Sequence, residues 1–173
     1  MAEQKKIDEL YDLIDGIEIA MLTTRRADGR LVSRPMATQE RQPGADLWFV
    51  TDIHAHKVDE LEQDPNVNVA YYRDRTREWV SVSGTARVSQ DRAKIRELYR
   101  PDWRMWFGKI DDVQDGGPDD PRLALLLVTA DSVHYMKKEK STPAVLFEMA
   151  KGMVTGERPD IGEVREVGGS ELR

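Results

Sequence analysis

The stretch Asp46-Leu-Trp-Phe-Val-Thr-Asp-Ile-His-Ala-His-Lys-Val-Asp-Glu-Leu61 decides the fold. Leu47 to Val50 are apolar or aromatic, which suits a pleated, buried strand. Thr51 and Asp52 are good helix N-cap types. Val58 and Leu61, three apart, then mark one face of a short helix that stops before Pro65. A strand feeding a helix start gathers free backbone N–H groups, which favour an anion. Lys57 belongs to the first helical turn, where the helix dipole opposes a cation. A bound phosphate reverses that sign; without one, Lys57 is a solvated surface lysine.

Upstream, Ile7, Leu10, Tyr11 and Ile14 fall at helical spacing, and Gly16 is placed to end the helix. Residues 17–24 read as a strand, Asp28-Gly29 as a hairpin turn, and residues 31–38 as the returning strand. Pro35 inside that strand implies an edge position or a bulge. Downstream, residues 66–72 and 78–88 alternate as strands. Ser89 is a candidate cap for a helix reaching Arg100. Trp103-Arg-Met-Trp-Phe107 is an aromatic helical patch, and residues 111–120 form an acidic loop. Residues 122–129 read as a strand buried on both faces, and 132–137 as another strand after a turn. Thr142 and Pro143 start a last helix, with Leu146, Met149, Ala150 and Met153 on a stripe expected to pack in the core. These residues form one domain over 1–156. Residues 157–173 carry charge, glycine and proline without a period. They are expected either to be disordered or to drape on a partner subunit. Hairpins outnumber crossover helices, so an antiparallel barrel with peripheral helices is favoured over a doubly wound sheet.

The 173 residues carry a net charge of -6 and are 39% hydrophobic. That balance argues against broad nucleic-acid binding. With no cysteine in the chain, disulfides, thiolate catalysis and cysteine metal sites are excluded. No cationic leader and no apolar run of spanning length is visible, so no membrane is expected and a cytoplasmic location is. His54 and His56 point about 200° apart on a helix, which suits no shared metal. The aspartates of the 111–120 loop are read as solvated.

Five segments in order carry a resemblance: Ile19-Ala-Met-Leu-Thr-Thr24; Ser33-Arg-Pro-Met36; Leu47-Trp-Phe-Val-Thr51 with Lys57; Val80-Ser-Val-Ser-Gly-Thr-Ala86; and Trp106-Phe107 with Asp120-Pro121 and Leu123-Ala-Leu-Leu-Leu-Val128. Together they resemble the pyridoxamine 5′-phosphate oxidase-like, FMN-binding split-barrel superfamily, and within it the bacterial general stress proteins. The resemblance implies a mainly β (α+β) fold: an antiparallel six-stranded split β-barrel with peripheral helices. It implies a homodimer holding FMN at the subunit seam. It places Arg34 and Lys57 at the FMN phosphate, where a dianion takes a bidentate guanidinium and a second cation. Thr51 would add a hydroxyl, Ser33 and Met36 would line the ribityl chain and ring, and Pro35, Val50 and Trp106 complete the implied cofactor wall. Trp79 either stacks on the flavin or covers the dimer seam. Tyr135-Met136 stands where the stress proteins tend to show Tyr-Trp. No counterpart of the oxidases' C-terminal arginine segment follows Lys140, which argues against pyridoxal phosphate chemistry. The implied function is an FMN-dependent oxidoreductase acting on an unidentified small substrate or electron donor. A non-turnover flavin carrier or sensor, and a deazaflavin F420-binding relative, are the alternatives.

Overall fold

The computed structural model describes residues 2–138, 141–160 and 162–172. Helix α1 (Ala2–Ile17) leads into the hairpin β1 (Ile19–Arg25) and β2 (Leu31–Ala37). Strand β3 (Leu47–Asp52) is followed by helix α2 (His56–Gln63) and the hairpin β4 (Asn66–Arg73) and β5 (Glu78–Ser89). Then come α3 (Arg92–Leu98), a 3₁₀ turn (Pro101–Trp103), the single-turn α4 (Arg104–Phe107) and β6 (Leu123–Lys138). Helix α5 (Thr142–Thr155) and strand β7 (Gly162–Gly168) close the chain, with a 3₁₀ turn at Gly169–Leu172. No helix among the described residues is long and apolar enough to cross a membrane.

The strands pair antiparallel in the order β2-β1-β4-β5-β6-β3, and β7 adds to β6. This is a split barrel. β2 and β3 stand at the two ends of the order, and Gln39, just past β2, donates its N–H to the Trp48 carbonyl at 2.9 Å. The Pro35 signal is thereby accounted for: β2 is an edge, so the missing N–H breaks no ladder. Gly29 at φ 82 supplies the hairpin turn that Asp28-Gly29 announces.

Period-2 patterning fills the barrel. Leu22, Val69, Tyr71, Val80, Val82 and Tyr135 point inward, and α1 closes the core with Leu10 and Ile14. Each such side chain contributes roughly 1.5–3 kcal/mol on burial. β6 is buried on both faces because both faces have covers. Leu126 and Val128 join the barrel core, while Leu123, Leu125 and Leu127 join Trp48, Ile95 and Trp103 in a second core outside it.

Five expectations change. The turn between two strands near Asp131 is a β-bulge inside one 16-residue strand: pairing shifts from Ser83–Ser132 to Gly84–Ala130, leaving Asp131 extra. The C-terminal tail is, over Gly162–Gly168, a strand on β6, with Val167 and Leu172 buried. As an edge strand rich in charge, it carries no clean alternation to be read. Gly16 does not end α1. The left-handed residue is Glu18 (φ 65), and Gly16 instead makes room for the Arg73 guanidinium. The α5 stripe is not core: Leu146 and Met153 are exposed. At helix starts, Asp91 rather than Ser89 caps α3, accepting the Lys94 N–H at 3.1 Å, and Ser141 precedes α5.

Gly84 lies at the bulge, where a Cβ would fall 2.1 Å from the Thr129 carbonyl oxygen. Gly84→Ala should therefore cost about 2 kcal/mol, lowering Tm by roughly 4–8 °C. Thermal unfolding followed by circular dichroism checks this; a variant melting with the wild type contradicts the close approach.

Candidate functional site

The strand-to-helix corner at the end of β3 builds the site. Asp52 accepts the His54 N–H at 2.8 Å and turns the chain, so neither Thr51 nor Asp52 caps α2. The cap position is Ala55, which offers no side-chain acceptor to the first turn. Lys57 in that turn reaches back and donates to Thr51 Oγ1 at 2.9 Å. Thr51 is buried and Lys57 half-buried.

Arg34 arrives from β2. Its neighbours Val32 and Met36 share its side of the strand, while Ser33 faces outward. Its Nη2 donates to Glu60 Oε2 at 2.8 Å, and its Nη1 donates to Thr24 Oγ1. Thr24 in turn donates to the same Glu60 oxygen at 2.5 Å. The Arg34 and Glu60 side chains are only 20% and 12% exposed. Burial pushes the Glu60 carboxyl up, but the Thr24 and Arg34 hydrogen bonds and the Arg34 charge outweigh it and hold it below the usual range. Burial lowers the Lys57 ammonium, the nearby Arg34 charge lowers it further, and Asp52 and Glu60 oppose this. Two cations thus sit close enough to oppose each other, with one carboxylate tied to Arg34.

Arg34 and Lys57 line one cavity of about 700 Å³, together with Arg26, Val32, His56 and Glu60. Lys57 also lines a second cavity of about 700 Å³, with Pro35, Met36, Val50, Thr51 and Trp106. The amine is therefore shared by both cavities, the second of which also carries Asp15, Glu18, Glu40 and Asp52 in its wall. Trp106 is 72% exposed at the rim of the second. Trp103 is buried and donates its indole N–H to Gln39 Oε1 at 3.0 Å. Asp120 and Arg122 hold this aromatic segment. They form a buried ion pair at 2.7 Å, and Arg122 also donates to the Phe107 and Gly108 carbonyls at 2.8 and 2.9 Å. Asp120 is thus no solvated loop aspartate; its carboxyl is held below its usual range by Arg122 and two backbone N–H groups, against the effect of burial.

Of the nine residues singled out from sequence, Arg34, Pro35, Met36, Val50, Thr51, Lys57 and Trp106 line these two cavities. Ser33 and Trp79 lie outside both. Ser33 shares a 2.7 Å hydrogen bond with Thr23 on the outer face of the hairpin. Trp79 stands on the outer face of β5, between Tyr72 of β4 and Met136 of β6. Sequence reading missed Glu60 and Thr24. The signal for Glu60 was available: three residues after Lys57, it shares that face of α2.

Residues 5–160 match the family model described as pyridoxamine 5′-phosphate oxidase like. Protein bli-3 of Neurospora crassa is 34% identical over 172 residues, which cover 98% of this chain and 82% of that protein. The solved structure of a Jannaschia sp. CCS1 protein described as general stress protein 26 is 28% identical, with a TM-score of 0.69 over 97% of this chain and 99% of that one. A protein described as the general stress FMN/FAD binding protein of Xanthomonas citri is 26% identical, with a TM-score of 0.64 over 80% of this chain and 92% of that one.

The Arg34–Glu60 pair fixes a pH dependence. The folded-state carboxyl is depressed, so its stabilisation is present above the unfolded carboxyl value and is lost as pH falls through the folded one. Glu60→Gln should cost about 2 kcal/mol near neutral pH. The gap between variant and wild type should close in acid. Urea titrations at several pH values measure it, and a pH-independent gap would show that the carboxylate charge plays no part.

Proposed function

Since the chain belongs to the pyridoxamine 5′-phosphate oxidase-like family, we propose that it is a flavin-binding protein of the general stress type, with FMN held between Lys57 and Arg34. The observation that carries this reading is Lys57. A half-buried ammonium with a second cation beside it, at the junction of two cavities, makes no direct ion pair among the described residues, although Asp52 and Glu60 act on it from farther off, and a phosphate would pair with it. The residues fit the group. The first cavity offers Arg34, Arg26 and His56 to a phosphate, and the second offers Met36, Val50 and the Trp106 edge to a flat ring. Thr51 orients the Lys57 amine. Glu60 holds Arg34 in place and at the same time competes with a phosphate for it.

FMN, when bound, supplies reversible transfer of electrons or a hydride. This chain's residues bind the flavin, orient it and shield it from water. The proposed activity is oxidoreduction of a small substrate. Trp79 lies on the outer sheet face, outside both cavities, so it meets a flavin only across a homodimer seam. Ile19, Met21 and Tyr72 are exposed on that face and suit a second subunit.

Titrating FMN into the protein and following its fluorescence tests the reading. Arg34→Ala and Lys57→Ala should each weaken binding by about 10- to 100-fold, and Glu60→Gln should tighten it several-fold. Absence of saturable binding of FMN, of FAD and of F420 defeats the proposal. Turnover of the reduced protein with a physiological acceptor distinguishes an oxidoreductase from a carrier.

A further inference from the structure

Tyr71 of β4 carries a polar atom into the barrel interior. The residue is 2% exposed and belongs to the apolar core with Leu22, Val69 and Val82. Its hydroxyl shares a 2.8 Å hydrogen bond with the hydroxyl of Thr38, the first residue after β2. Distance alone permits either oxygen to donate, so the direction follows from counting hydrogens. A hydroxyl has one hydrogen and two lone pairs. A buried donor without an acceptor is costly, whereas a spare lone pair is tolerated more readily. Among the described residues Tyr71 has no hydrogen-bond partner besides Thr38. Burial pushes the Tyr71 phenol well above its usual value; the Thr38 bond opposes this, and Asp15 and Tyr11 add to it. The phenol therefore keeps its proton and stays a donor. Tyr71 donates to Thr38, and the Thr38 hydrogen remains unspent.

Thr38 stands in the wall of the second cavity, beside Met36 and Ala37. Its backbone is fixed as well, because its N–H donates to the Glu18 carbonyl at 3.0 Å. A hydroxyl held at two points loses little freedom on meeting an acceptor. We propose that Tyr71, from inside the barrel, turns the Thr38 hydroxyl into a hydrogen-bond donor for the heteroatom edge of a flat ring in the second cavity. Thr38 makes the contact, and Tyr71 is a positioning residue that acts through it. An isoalloxazine presents carbonyl oxygens and unprotonated nitrogens as acceptors on that edge. Reduction raises the electron density there, so a fixed donor stabilises the reduced ring more than the oxidised one and raises its midpoint potential. A ring without acceptors leaves the hydroxyl unpaired and is selected against. The inference rests on the flavin reading above and adds to it a residue that reads the ring rather than the phosphate.

Titrations of the full chain with FMN and with riboflavin, which has the ring but no phosphate, test it. Thr38→Val should weaken both ligands by the same factor, about 5- to 10-fold, and Thr38→Ser should stay within about twofold of the wild type. Lys57→Ala, by contrast, should weaken FMN alone. Tyr71→Phe should weaken both flavins by a smaller factor, and Thr38→Val/Tyr71→Phe by no more than Thr38→Val does. FMN bound to Thr38→Val should show a lower midpoint potential in a reductive titration. Without flavin, Thr38→Val strands the Tyr71 O–H in the core and should melt roughly 2–4 °C below the wild type. The double variant removes both partners and should melt close to the wild type, which keeps the binding test free of a folding defect. Unchanged flavin binding by Thr38→Val, a loss confined to FMN, an unchanged potential or an unchanged melting temperature each overturns this inference alone. A wild type that binds neither flavin defeats the flavin reading and this inference with it.

Discussion

Strand β6 is the constraint from which the rest follows. Its opening stretch, Leu123–Val128, pairs with β3 along its whole length and with β5 from Leu125 onward, and every residue in it is buried. A strand with two apolar faces needs a cover on each. The barrel interior, closed by α1, covers one. The segment from α3 through the aromatic turn covers the other, with Ile95 and Trp103 as its anchors. That second cover puts Trp106 at the rim of the cavity beside β3. The Asp120–Arg122 pair, at the entrance to β6, ties the aromatic segment down by its last carbonyls. One hydrophobic run thus sets both the stability of the sheet and a wall of the candidate site.

The electrostatics of the site oppose its burial. Lys57 and Arg34 stand near each other in a place where water is partly excluded, which is costly for both. Glu60 offsets part of that cost, but its hydrogen bonds go to Arg34 and Thr24, and the Lys57 amine donates instead to the Thr51 hydroxyl. The asymmetry gives the two cations different tasks. In the proposed site, Lys57 would meet an incoming phosphate directly, while Arg34 would share itself between the phosphate and Glu60, so this competition would set affinity as much as the count of positive charges.

Much of this was readable in advance, residue by residue. Pro35 announced an edge strand because it cannot donate to a ladder. Asp28-Gly29 announced the hairpin because the turn needs a positive φ. The unbroken run Leu123–Val128 announced two-sided burial. Where reading failed, the information lay in a neighbour. Nothing local to Asp131 distinguishes a bulge from a turn; the close approach of Gly84 to Thr129 does. Residues 162–168 look irregular because their order comes from the free edge of β6. Trp103 and Trp106 look alike in sequence, but one is buried on Gln39 and the other lies open.

The sequence by itself determined β1 to β5, their hairpins and the strand-to-helix turn after β3; the pairing of Arg34 with Lys57 at a phosphate came from the family resemblance. Those elements depend on spacing and turn chemistry, which act over a few residues. Only the tertiary structure decided that Arg34 and Lys57, 23 positions apart in the chain, line one cavity, that Glu60 and Thr24 engage Arg34, and that α5 leaves its apolar face open. Those facts depend on which strand lies beside which, because side chains interact through space, and no local pattern records that.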